Sequence, residues 1–384
     1  MKDIKTMNKI AACGLEQLDS AKYNISDSAE NPDGIMVRSA SLHDMAFGDN
    51  LKAIVRCGAG VNNIPTADCA EKGIVVFNTP GANANGVKEL TIAALLLAAR
   101  DIVGGINWAN TLTEDVAKQV EKGKSAFGGN ELLGKTLGVI GLGAIGGMVA
   151  HAGMQLGMKV IGCDPFITVD GAWHLSRHID KAASYEEVFE KADYISLHVP
   201  STKDTKGMIS GGTIAKMKDG VRIVNLSRAD LVNASDMKAA LESGKVKAYV
   251  TDFPTEETIN TKGIVTIPHL GASTSESEDN CAIMAARQLD DFLTNGNITN
   301  SVNYPSISMP RSTVGRLVVL HRNVPNVITT ITSKISAVGI NIENMANRSK
   351  GDYAVTMIDT PDHVSDEIIK EIEGVGNIIR ILQF

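Results

Sequence analysis

Short apolar runs alternate with longer segments of mixed polarity along most of the chain, and nearly all of the runs end in glycine, proline or a polar residue. Runs bounded in this way indicate buried strands, and strands that alternate with helical segments are typical of parallel sheets. The predicted strands span residues 34–37, 51–55, 73–77, 137–140, 159–163, 192–197, 221–225, 247–250 and 264–267. The apolar segment from Glu89 to Arg100 predicts a helix that is buried on most sides. The pattern therefore predicts an α/β fold built on parallel sheets.

The pattern changes after about residue 300, where a proline-bearing segment, residues 303–310, predicts a linker at a domain boundary. The remaining residues predict, in order, strand 315–321, helix 325–337, strand 341–347, strand 352–359, helix 366–373 and strand 378–382. This β-α-β-β-α-β order is that of the split ferredoxin-like arrangement. We therefore predict a separate C-terminal domain over residues 311–384.

A glycine-rich turn follows the predicted strand at 137–140 and precedes an apolar segment that predicts a helix. Gly141 permits a tight turn, Gly143 permits the close approach of a pyrophosphate, and Gly146 permits the helix to pack on the strand. The backbone N–H groups at the start of the helix, at Ala144 and Ile145, would face the phosphates. The turn therefore predicts a Rossmann-like dinucleotide-binding domain. The alternative is a glycine-rich packing turn that binds no ligand.

Asp164 follows the next predicted strand and lies 23 residues beyond Gly141. An acidic residue about 20 residues after the glycine turn can accept hydrogen bonds from the ribose hydroxyls of a dinucleotide. The residues that follow, Pro165 and Phe166, include no arginine that could neutralise a 2′-phosphate. We therefore predict that the cofactor is NAD rather than NADP.

Four later strands end in polar or ionisable residues, and the carboxyl ends of parallel strands meet at one edge of a sheet. We expect the nicotinamide to lie at this edge. The candidate cofactor-binding residues at these strand ends are His198, Pro200, Thr205, Leu226, Ser227, Asp252, Gly271 and Ala272.

Two arginines follow two successive early strands. Arg38 and Ser39 end the first strand, and Arg56 ends the second, immediately before the turn Gly58-Ala59-Gly60. A guanidinium group offers a fixed fork of donors that suits a carboxylate or a phosphate, and the backbone N–H groups of a glycine-rich turn can add to it. These residues predict an anion site for the substrate; the alternative is that each arginine is a solvated strand end.

Composition and charge argue against several classes of protein. The formal net charge of −7 argues against nucleic acid as a partner, because polyanion binding is usually accompanied by a basic excess. The five cysteines are scattered and include no CxxC spacing, so that neither a disulfide framework nor a metal site is predicted. The sequence contains no signal peptide and no apolar stretch long enough for a membrane span, and we expect a cytoplasmic protein.

Six motifs together resemble the D-isomer-specific 2-hydroxyacid dehydrogenase family over about residues 35–300. They are VIGLGAIG, Asp164, HVP with the following Thr205, NLSR, DFPTE and PHLGAST, in that order. The resemblance implies a discontinuous substrate-binding domain, residues 1–88 and 277–304, and an NAD-binding domain, residues 89–276. Residues 37–40 and 268–274 are most similar to members of the family that act on a phosphorylated 2-hydroxy acid.

The resemblance also implies a catalytic set of His269 as general acid and base, Glu256 as the carboxylate that orients it, and Arg228 as the group that binds the substrate carboxylate and carbonyl. A histidine titrates near neutrality, and a neighbouring carboxylate raises its pKa. The chain departs from the family in having Thr251-Asp252 before Phe253, so that the acid is either Glu256 or Glu257. It also carries Ala229 where the family usually has glycine after the catalytic arginine.

The C-terminal segment resembles an ACT domain, a small regulatory module that binds amino acids. By this resemblance His321, Asn323 and Asn341 are the residues expected to bind L-serine as an effector. Asn326 stands where a glycine is usual before the first helix of the module, and the crowding would weaken effector binding. The module could therefore serve regulation or only subunit association, in a homodimer or homotetramer.

The function implied by these features is the NAD-dependent oxidation of 3-phospho-D-glycerate to 3-phosphohydroxypyruvate, the first step of L-serine biosynthesis. Two alternatives stay open. One is another D-2-hydroxyacid dehydrogenase of the same class, such as a glyoxylate, hydroxypyruvate or lactate reductase. The other belongs to a different class and is an NAD-sensing, corepressor-like binding protein.

Overall fold

The computed structural model describes residues 1–384. The chain forms two compact units, one of residues 1–83 and 275–384 and one of residues 84–274. The first unit therefore combines the two ends of the sequence. The division of the chain into three functional domains stays a prediction.

The N-terminal part of the first unit is a five-stranded parallel sheet with the order β2-β1-β3-β4-β5. Its elements are β1 (Lys2–Met7), α1 (Ala12–Leu15), β2 (Tyr23–Ser26), β3 (Gly34–Val37), β4 (Ala53–Arg56), α2 (Thr66–Glu71) and β5 (Val75–Phe77). Both faces of the central strands are buried: Met36 and Val55 belong to one hydrophobic cluster, and Ile35 and Ile54 belong to another. The continuous apolar runs of β3 and β4 reflect this burial on both faces.

The second unit is a seven-stranded parallel sheet with the order β12-β11-β10-β9-β6-β7-β8. Its strands are β6 (Thr136–Ile140), β7 (Lys159–Cys163), β8 (Ile179–Lys181), β9 (Tyr194–Leu197), β10 (Val221–Asn225), β11 (Val246–Thr251) and β12 (Ile264–Thr266). Its helices are α3 (Ala84–Ala99), α4 (Ile102–Ala109), α5 (Val116–Gly123), α6 (Ala144–Gln155), α7 (Val169–Trp173), α8 (Tyr185–Lys191), α9 (Gly211–Lys216) and α10 (Ala234–Glu242). The strand order reverses at β6, which makes the carboxyl end of β6 the expected ligand-binding edge. The predicted α/β fold with Rossmann-like parallel sheets is confirmed.

The chain returns to the first unit at α11 (Ser275–Asn295), which packs against α1 and β4. An antiparallel sheet follows, with the order β14-β15-β13-β16. Its elements are β13 (Gly315–Arg322), α12 (Val327–Ala337), β14 (Asn344–Lys350), β15 (Tyr353–Thr360), α13 (Asp366–Glu373) and β16 (Ile378–Gln383), in the predicted β-α-β-β-α-β sequence. None of the helices, including α11 with its 21 residues, is both long enough and apolar enough to cross a membrane.

The central strands β13 and β15 of the antiparallel sheet are buried on both faces, whereas the edge strand β14 is mostly exposed. Along β13, Leu317 and Val319 face the helices of this segment, where Ile331 belongs to the same cluster. The alternate residues Val318 and Leu320 belong to the cluster that also contains the N-terminal sheet and α11. Because successive side chains of a strand point to opposite faces, the uninterrupted apolar sequence of β13 serves two cores at once. The C-terminal sheet is thereby packed into the first unit.

A buried ion pair joins the two central strands of this sheet. Arg316 on β13 donates to both carboxylate oxygens of Asp359 on β15, at 2.6 and 2.9 Å, and both side chains are fully buried. The same guanidinium donates to the carbonyl oxygens of Asn295 at the end of α11 and of Met309 and Pro310 in the linker. Arg316 therefore satisfies polar groups from three segments, namely β15, the end of α11 and the linker, inside an apolar region.

We expect Arg316→Met to lower the free energy of unfolding by about 3–5 kcal/mol, because it leaves the Asp359 carboxylate buried without a counter-charge. The matched control is the double variant Arg316→Met/Asp359→Leu, which removes both charges and should lose markedly less stability. Urea denaturation followed by circular dichroism measures both variants. A single variant as stable as the double would contradict this account.

Candidate active site

The glycine turn of the second unit has the geometry expected of a dinucleotide cradle. Gly141 has a φ of +87°, and a Cβ atom there would lie 2.6 Å from the carbonyl oxygen of His198. A Cβ atom at Gly146 would lie 1.9 Å from the carbonyl oxygen of Gly141, so that α6 can begin at Ala144 only without a side chain at Gly146. A Cβ atom at Gly143 would meet no protein atom within 4 Å. The open space therefore lies at the glycine that is predicted to face the pyrophosphate.

The start of α6 carries no side-chain cap, which leaves the N–H groups of its first turn, from Ala144, Ile145 and Gly146, available to an anion. A cavity of about 760 Å³ runs along this turn and is lined by Gly143, Ala144, Asp164 and the side chain of Lys88, among others. Lys88 was missed in the sequence because it precedes the turn by more than 50 residues. The cavity combines helix N–H groups with a positive charge and fits the phosphates of a dinucleotide.

Asp164 lies beside the glycine turn. One of its carboxylate oxygens accepts a 2.9 Å hydrogen bond from the N–H of Leu142, and the other accepts a 2.9 Å bond from the N–H of Phe166. Each carboxylate oxygen can accept a further hydrogen bond, and Asp164 lines the cavity. Its position fits the predicted contact with a ribose.

The loop after β9 is held by its own side chains. The backbone N–H of His198 donates to the carbonyl oxygen of Ile140 at 2.7 Å, which fixes this loop beside the glycine turn. The hydroxyl of Thr205 donates to the carbonyl oxygen of Pro200 at 2.6 Å and accepts from the N–H of Thr202 at 2.8 Å. These hydrogen bonds maintain the shape of the loop that contains Pro200, and the predicted contact of Thr205 with the cofactor stays a prediction.

The imidazole of His198 is held neutral. Burial lowers the pKa of His198 to about 4. Its Nε2 lies 2.8 Å from the hydroxyl of Ser196, whereas its buried Nδ1 has no hydrogen-bond partner. The ring therefore presents one unused polar atom next to the cofactor turn.

Asn225 fixes the turn that carries Arg228. Its side-chain oxygen accepts hydrogen bonds from the N–H groups of Ser227 and Arg228, and its amide donates to the carbonyl oxygen of Arg228 at 2.8 Å. Ser227 in turn donates to the carbonyl oxygen of Leu197 at 2.6 Å, while Leu226 is buried. Asn225 was missed as a site residue, although a buried asparagine at the end of an apolar strand is the signal that could have identified it.

Arg228 presents an exposed guanidinium beyond this turn, with Nη1 donating to the carbonyl oxygen of Ser227 at 2.6 Å. Ala229, which replaces the usual glycine of the family, is the first residue of a short 3-10 helix, Ala229–Leu231, and has no positive φ. The position therefore does not require glycine, and the alanine leaves Arg228 in place.

Asp252 is a buried carboxylate at the end of β11. One oxygen accepts a 3.1 Å hydrogen bond from the N–H of Gly271, while the other is buried without a partner. Burial raises the pKa of Asp252, and the Gly271 N–H together with the positive charges of His269 and Arg228 opposes that rise. An unpaired buried acceptor fits a ligand that donates a hydrogen bond, as a carboxamide does. This geometry supports the predicted cofactor role of Asp252, with Gly271 beside it and Ala272 next in sequence.

His269 has an unusual backbone. Its φ of +46° lies in the left-handed region, which is uncommon for a residue other than glycine. Its N–H donates to the carbonyl oxygens of Asp252 and Ile267, at 3.0 and 2.9 Å, and its exposed ring lies 4.8 Å from the ring of Phe253. Phe253 was not predicted as a site residue, because its packing on His269 depends on two loops that are distant in sequence.

The structure does not pair Glu256 with His269. No salt bridge in the chain, at N–O distances up to 4.0 Å, includes His269, Glu256 or Glu257. The glutamates stand on an exposed turn that closes on itself, with the N–H of Thr255 donating to the hydroxyl of Thr258 at 2.9 Å. His269 is among the groups that lower the pKa of Asp252 electrostatically.

The first unit brings Arg38 and Arg56 together. Arg56 donates from Nε to the carbonyl oxygen of Arg38 at 3.0 Å, and its guanidinium lies over Gly58, where a Cβ atom would be 1.7 Å from Nη1. Arg38 also forms a 2.5 Å salt bridge with Glu278 at the start of α11. Glu278 was not predicted as a partner of Arg38, because more than 200 residues separate the two side chains. A substrate anion would therefore compete with a carboxylate for Arg38.

Two asparagine side chains form hydrogen bonds with the backbone next to Arg38 and Arg56. The side-chain oxygen of Asn8 accepts a 2.9 Å hydrogen bond from the N–H of Ser39. The side-chain amide of Asn78 donates to the carbonyl oxygen of Ala59 at 2.6 Å, within the turn that ends at Gly60. These bonds fix the loops on which the predicted substrate residues lie.

No hydrogen bond joins the three predicted effector residues to one another, and their role in binding L-serine stays a prediction. His321 is buried, with Nδ1 2.8 Å from the carbonyl oxygen of Arg322 and Nε2 2.9 Å from the hydroxyl of Thr356. Asn323 donates to the carbonyl oxygen of Gly351, and Asn341 donates to Glu343. Both nitrogens of His321 are therefore occupied, and the two asparagines bond to separate loops.

Asn326 adopts the conformation expected of the glycine that it replaces. Its φ is +70°, in the left-handed region that asparagine enters more readily than most residues. It directly precedes α12, which begins at Val327. The substitution is thus accommodated by the backbone at this turn.

We expect two glycine variants to distinguish an effect on cofactor binding from an effect on the stability of the fold. Gly146→Ala forces a Cβ against the Gly141 carbonyl and should destabilise the protein by about 1–3 kcal/mol. Gly143→Ala meets no protein atom and should change stability by less than about 1 kcal/mol, yet weaken NADH binding roughly tenfold by crowding the phosphates. Thermal unfolding and titration of NADH fluorescence measure the two effects. Undiminished NADH affinity in Gly143→Ala would contradict the assigned orientation of the cofactor.

We expect Asp252→Asn to stabilise the protein without cofactor while weakening NADH binding. The raised pKa of Asp252 means that folding disfavours its ionised form; this cost is absent below the ordinary value of 3.8 and complete above the raised value. The variant should therefore gain about 1 kcal/mol over the unmodified protein at neutral pH, and the gain should vanish near pH 3. Urea denaturation at both pH values gives the difference. A variant that is less stable at neutral pH would refute a penalty at this carboxylate.

The chain is similar to known proteins in both sequence and structure. The NAD-binding domain of the D-isomer specific 2-hydroxyacid dehydrogenases matches residues 92–273. The D-3-phosphoglycerate dehydrogenase of Bacillus subtilis is 32% identical over 319 residues, which cover 78% of this chain and 59% of that protein. The hydroxypyruvate reductase of Thermotoga maritima is 39% identical over 261 residues, 64% of this chain and 80% of that protein.

Among solved structures, the NAD⁺-bound 3-phosphoglycerate dehydrogenase of Entamoeba histolytica is similar with a TM-score of 0.62 and 30% identity, covering 79% of this chain and 98% of that one. The alignments with the first curated relatives span only 52–59% of their length. The predicted NAD-binding domain is confirmed, and NAD is the cofactor. The chain belongs to the D-isomer specific 2-hydroxyacid dehydrogenase family.

Proposed function

We propose that the protein catalyses the NAD-dependent oxidation of 3-phospho-D-glycerate to 3-phosphohydroxypyruvate, the first step of L-serine biosynthesis. The observation that carries this proposal is the convergence of Arg38 and Arg56 beside the Gly58 turn, which concentrates two guanidinium charges on one part of the first unit. A phosphorylated substrate needs such a group, whereas an unphosphorylated hydroxy acid does not. Several relatives with 31–35% identity bear the name D-3-phosphoglycerate dehydrogenase.

The residues of the second unit supply the acid–base chemistry. NAD, when bound, accepts the hydride from the carbon that carries the hydroxyl group. His269 takes the hydroxyl proton on a ring nitrogen, and its exposed ring is held by Phe253 and by the hydrogen bonds of its own backbone. Arg228 binds the substrate carboxylate and polarises the oxygen that becomes the carbonyl. Asp252 stabilises the positive charge that His269 acquires.

The residues of the first unit recognise the phosphate. Arg38 and Arg56 donate to the phosphate oxygens, and the N–H groups of the Gly58–Gly60 turn add donors to the substrate. The Arg38–Glu278 salt bridge is half exposed, so that a dianionic phosphate can displace the carboxylate at modest cost.

A reductase acting on hydroxypyruvate is the second candidate. The Thermotoga maritima relative of that name shares 39% identity with the chain, and Glu278 already neutralises part of the charge of Arg38. A site with a compensated arginine also suits an unphosphorylated 2-oxo acid. The two candidates differ in whether Arg38 contributes to selectivity for the phosphate.

The C-terminal sheet is proposed to be an ACT-type regulatory domain. Its support is the strand order β14-β15-β13-β16 with two helices on one face. Because both ring nitrogens of His321 are engaged within the chain, serine binding would require this histidine to exchange a partner. Serine regulation, homodimeric or homotetrameric assembly and a cytoplasmic location stay predictions.

The decisive assay measures NADH oxidation with 3-phosphohydroxypyruvate and with hydroxypyruvate, for the unmodified protein, Arg38→Ala and Glu278→Ala. We expect Arg38→Ala to lower kcat/KM for the phosphorylated substrate about tenfold to a hundredfold, which corresponds to a lost charge-assisted contact, and to change that for hydroxypyruvate little. Glu278→Ala, the matched control, removes the competing carboxylate and should not lower kcat/KM for either substrate.

An equal loss on both substrates in Arg38→Ala would rule out the phosphate assignment and favour the reductase. NADH binding without turnover of any 2-oxo acid would favour an NAD-sensing binding protein. Adding L-serine to the same assay tests the regulatory assignment, which requires a saturable loss of rate.

A further inference from the structure

A second cavity lies in the first unit. Its volume is about 600 Å³. Its walls come from the amino ends of β1 and β2, the residue before β4, the end of α11 and the strand β16. The lining residues that the argument uses are Lys2, Lys22, Lys52, Arg380, Leu293 and Phe384.

The charge of the cavity wall is positive. Four basic side chains line it, and no aspartate or glutamate does. Only Lys52 forms a salt bridge, at 2.7 Å to Asp33. Lys2, Lys22 and Arg380 take part in none of the salt bridges of the chain.

Two of the cations without a salt bridge, Arg380 and Lys2, are fixed in place by backbone carbonyl oxygens. Arg380 donates to the carbonyl oxygens of Leu51 at 2.5 Å and of Asp49 at 2.6 Å, which joins β16 to the segment before β4. Lys2 donates to the carbonyl oxygen of Leu293. Each group retains further N–H donors, because an ammonium has three and a guanidinium five. Three positive side chains thus line the cavity, and each has N–H donors available to a ligand.

The cavity also offers apolar contact. Leu293, Ile381, Leu382 and Phe384 contribute to its lining. Inorganic ions alone would leave this surface unused, whereas a small organic anion can place its carbon skeleton against it.

The cavity is distinct from the proposed phosphate site. It lies at the amino ends of the parallel strands β1, β2 and β4, whereas Arg38 and Arg56 stand at the carboxyl ends of β3 and β4. At about 3.3 Å per residue, the four residues of β4 separate the two edges by roughly 13 Å.

We propose that this cavity binds a small organic dianion, either a phosphate monoester or a dicarboxylate, through Lys2, Lys22 and Arg380. The bound anion links β16 of the C-terminal sheet to the N-terminal sheet and so stabilises the first unit. Both ligand classes present two negative charges on a short carbon skeleton, and the experiment distinguishes them.

The test is thermal unfolding and calorimetric titration of the full chain with three probes: inorganic phosphate, glycerol 3-phosphate and succinate, each against sodium chloride at matched ionic strength. We expect a saturable rise in Tm with one of the two organic probes that exceeds the rise with inorganic phosphate. The probe with the larger effect identifies the ligand class. A rise no greater than that with sodium chloride would overturn the proposal.

Variants separate this cavity from the proposed substrate site. Lys22→Ala removes an exposed side chain without a salt bridge and should weaken binding of the effective probe about tenfold. Lys118→Ala, an exposed lysine of the second unit, is the matched control and should leave binding unchanged. Arg38→Ala should also leave it unchanged, because it alters only the substrate loop.

If binding is lost in Arg38→Ala and retained in Lys22→Ala, the anion binds at the substrate site. That result would overturn the proposal that the cavity binds it. Arg380→Gln extends the series, and its fold is checked by its circular dichroism spectrum. Because these experiments measure binding and not turnover, they remain valid even if the proposed enzymatic activity is not found.

Discussion

The close approach of the Gly141 carbonyl to Gly146 is the constraint on which the second unit depends. No side chain fits at 1.9 Å from a carbonyl oxygen, so α6 can start immediately after β6 only because Gly146 has none. The same compact turn lets the β9 loop reach β6, where the N–H of His198 bonds to Ile140. The carboxyl ends of the central strands therefore end at a common edge, and the functional side chains follow from that edge.

That edge holds polar groups which folding alone does not satisfy. Nδ1 of His198 and one carboxylate oxygen of Asp252 are both buried without a partner. Each such group costs free energy in the unliganded protein, and interiors normally contain few of them. Both groups belong to residues predicted to contact the cofactor, which indicates that a bound molecule supplies their missing hydrogen bonds. Stability and cofactor affinity are consequently opposed at Asp252.

The sequence predicted the strands that are buried on both faces, because their signal is an uninterrupted apolar run. The bounds of Gly34–Val37, Lys159–Cys163 and Val221–Asn225 agree with the structure residue by residue. Strands β1 and β2 were missed because each buries a single side chain, Ile4 or Tyr23, among polar residues. Such strands are defined by their neighbours in the sheet rather than by their own composition.

The site residues could be predicted where they lie within one local motif. They could not be predicted where the fold brings together residues from distant segments. The turns that contain Gly141, Arg228 and His269 were located by motif. The Arg38–Glu278 pair depends on a contact between distant segments. The separation of Glu256 from His269 arises from hydrogen bonds within one irregular turn, which no periodic pattern encodes.

The shared core of the first unit also constrains the order in which the chain can fold. Ile4 and Phe77 pack in one hydrophobic cluster with Phe292 and Leu382, so the N-terminal sheet lacks much of its core until the last strand has been synthesised. Residues 84–274 carry their own core and can fold first on the ribosome. Residues 1–83 then keep apolar surface exposed until β16 has been synthesised, and the risk of aggregation is greatest during this interval.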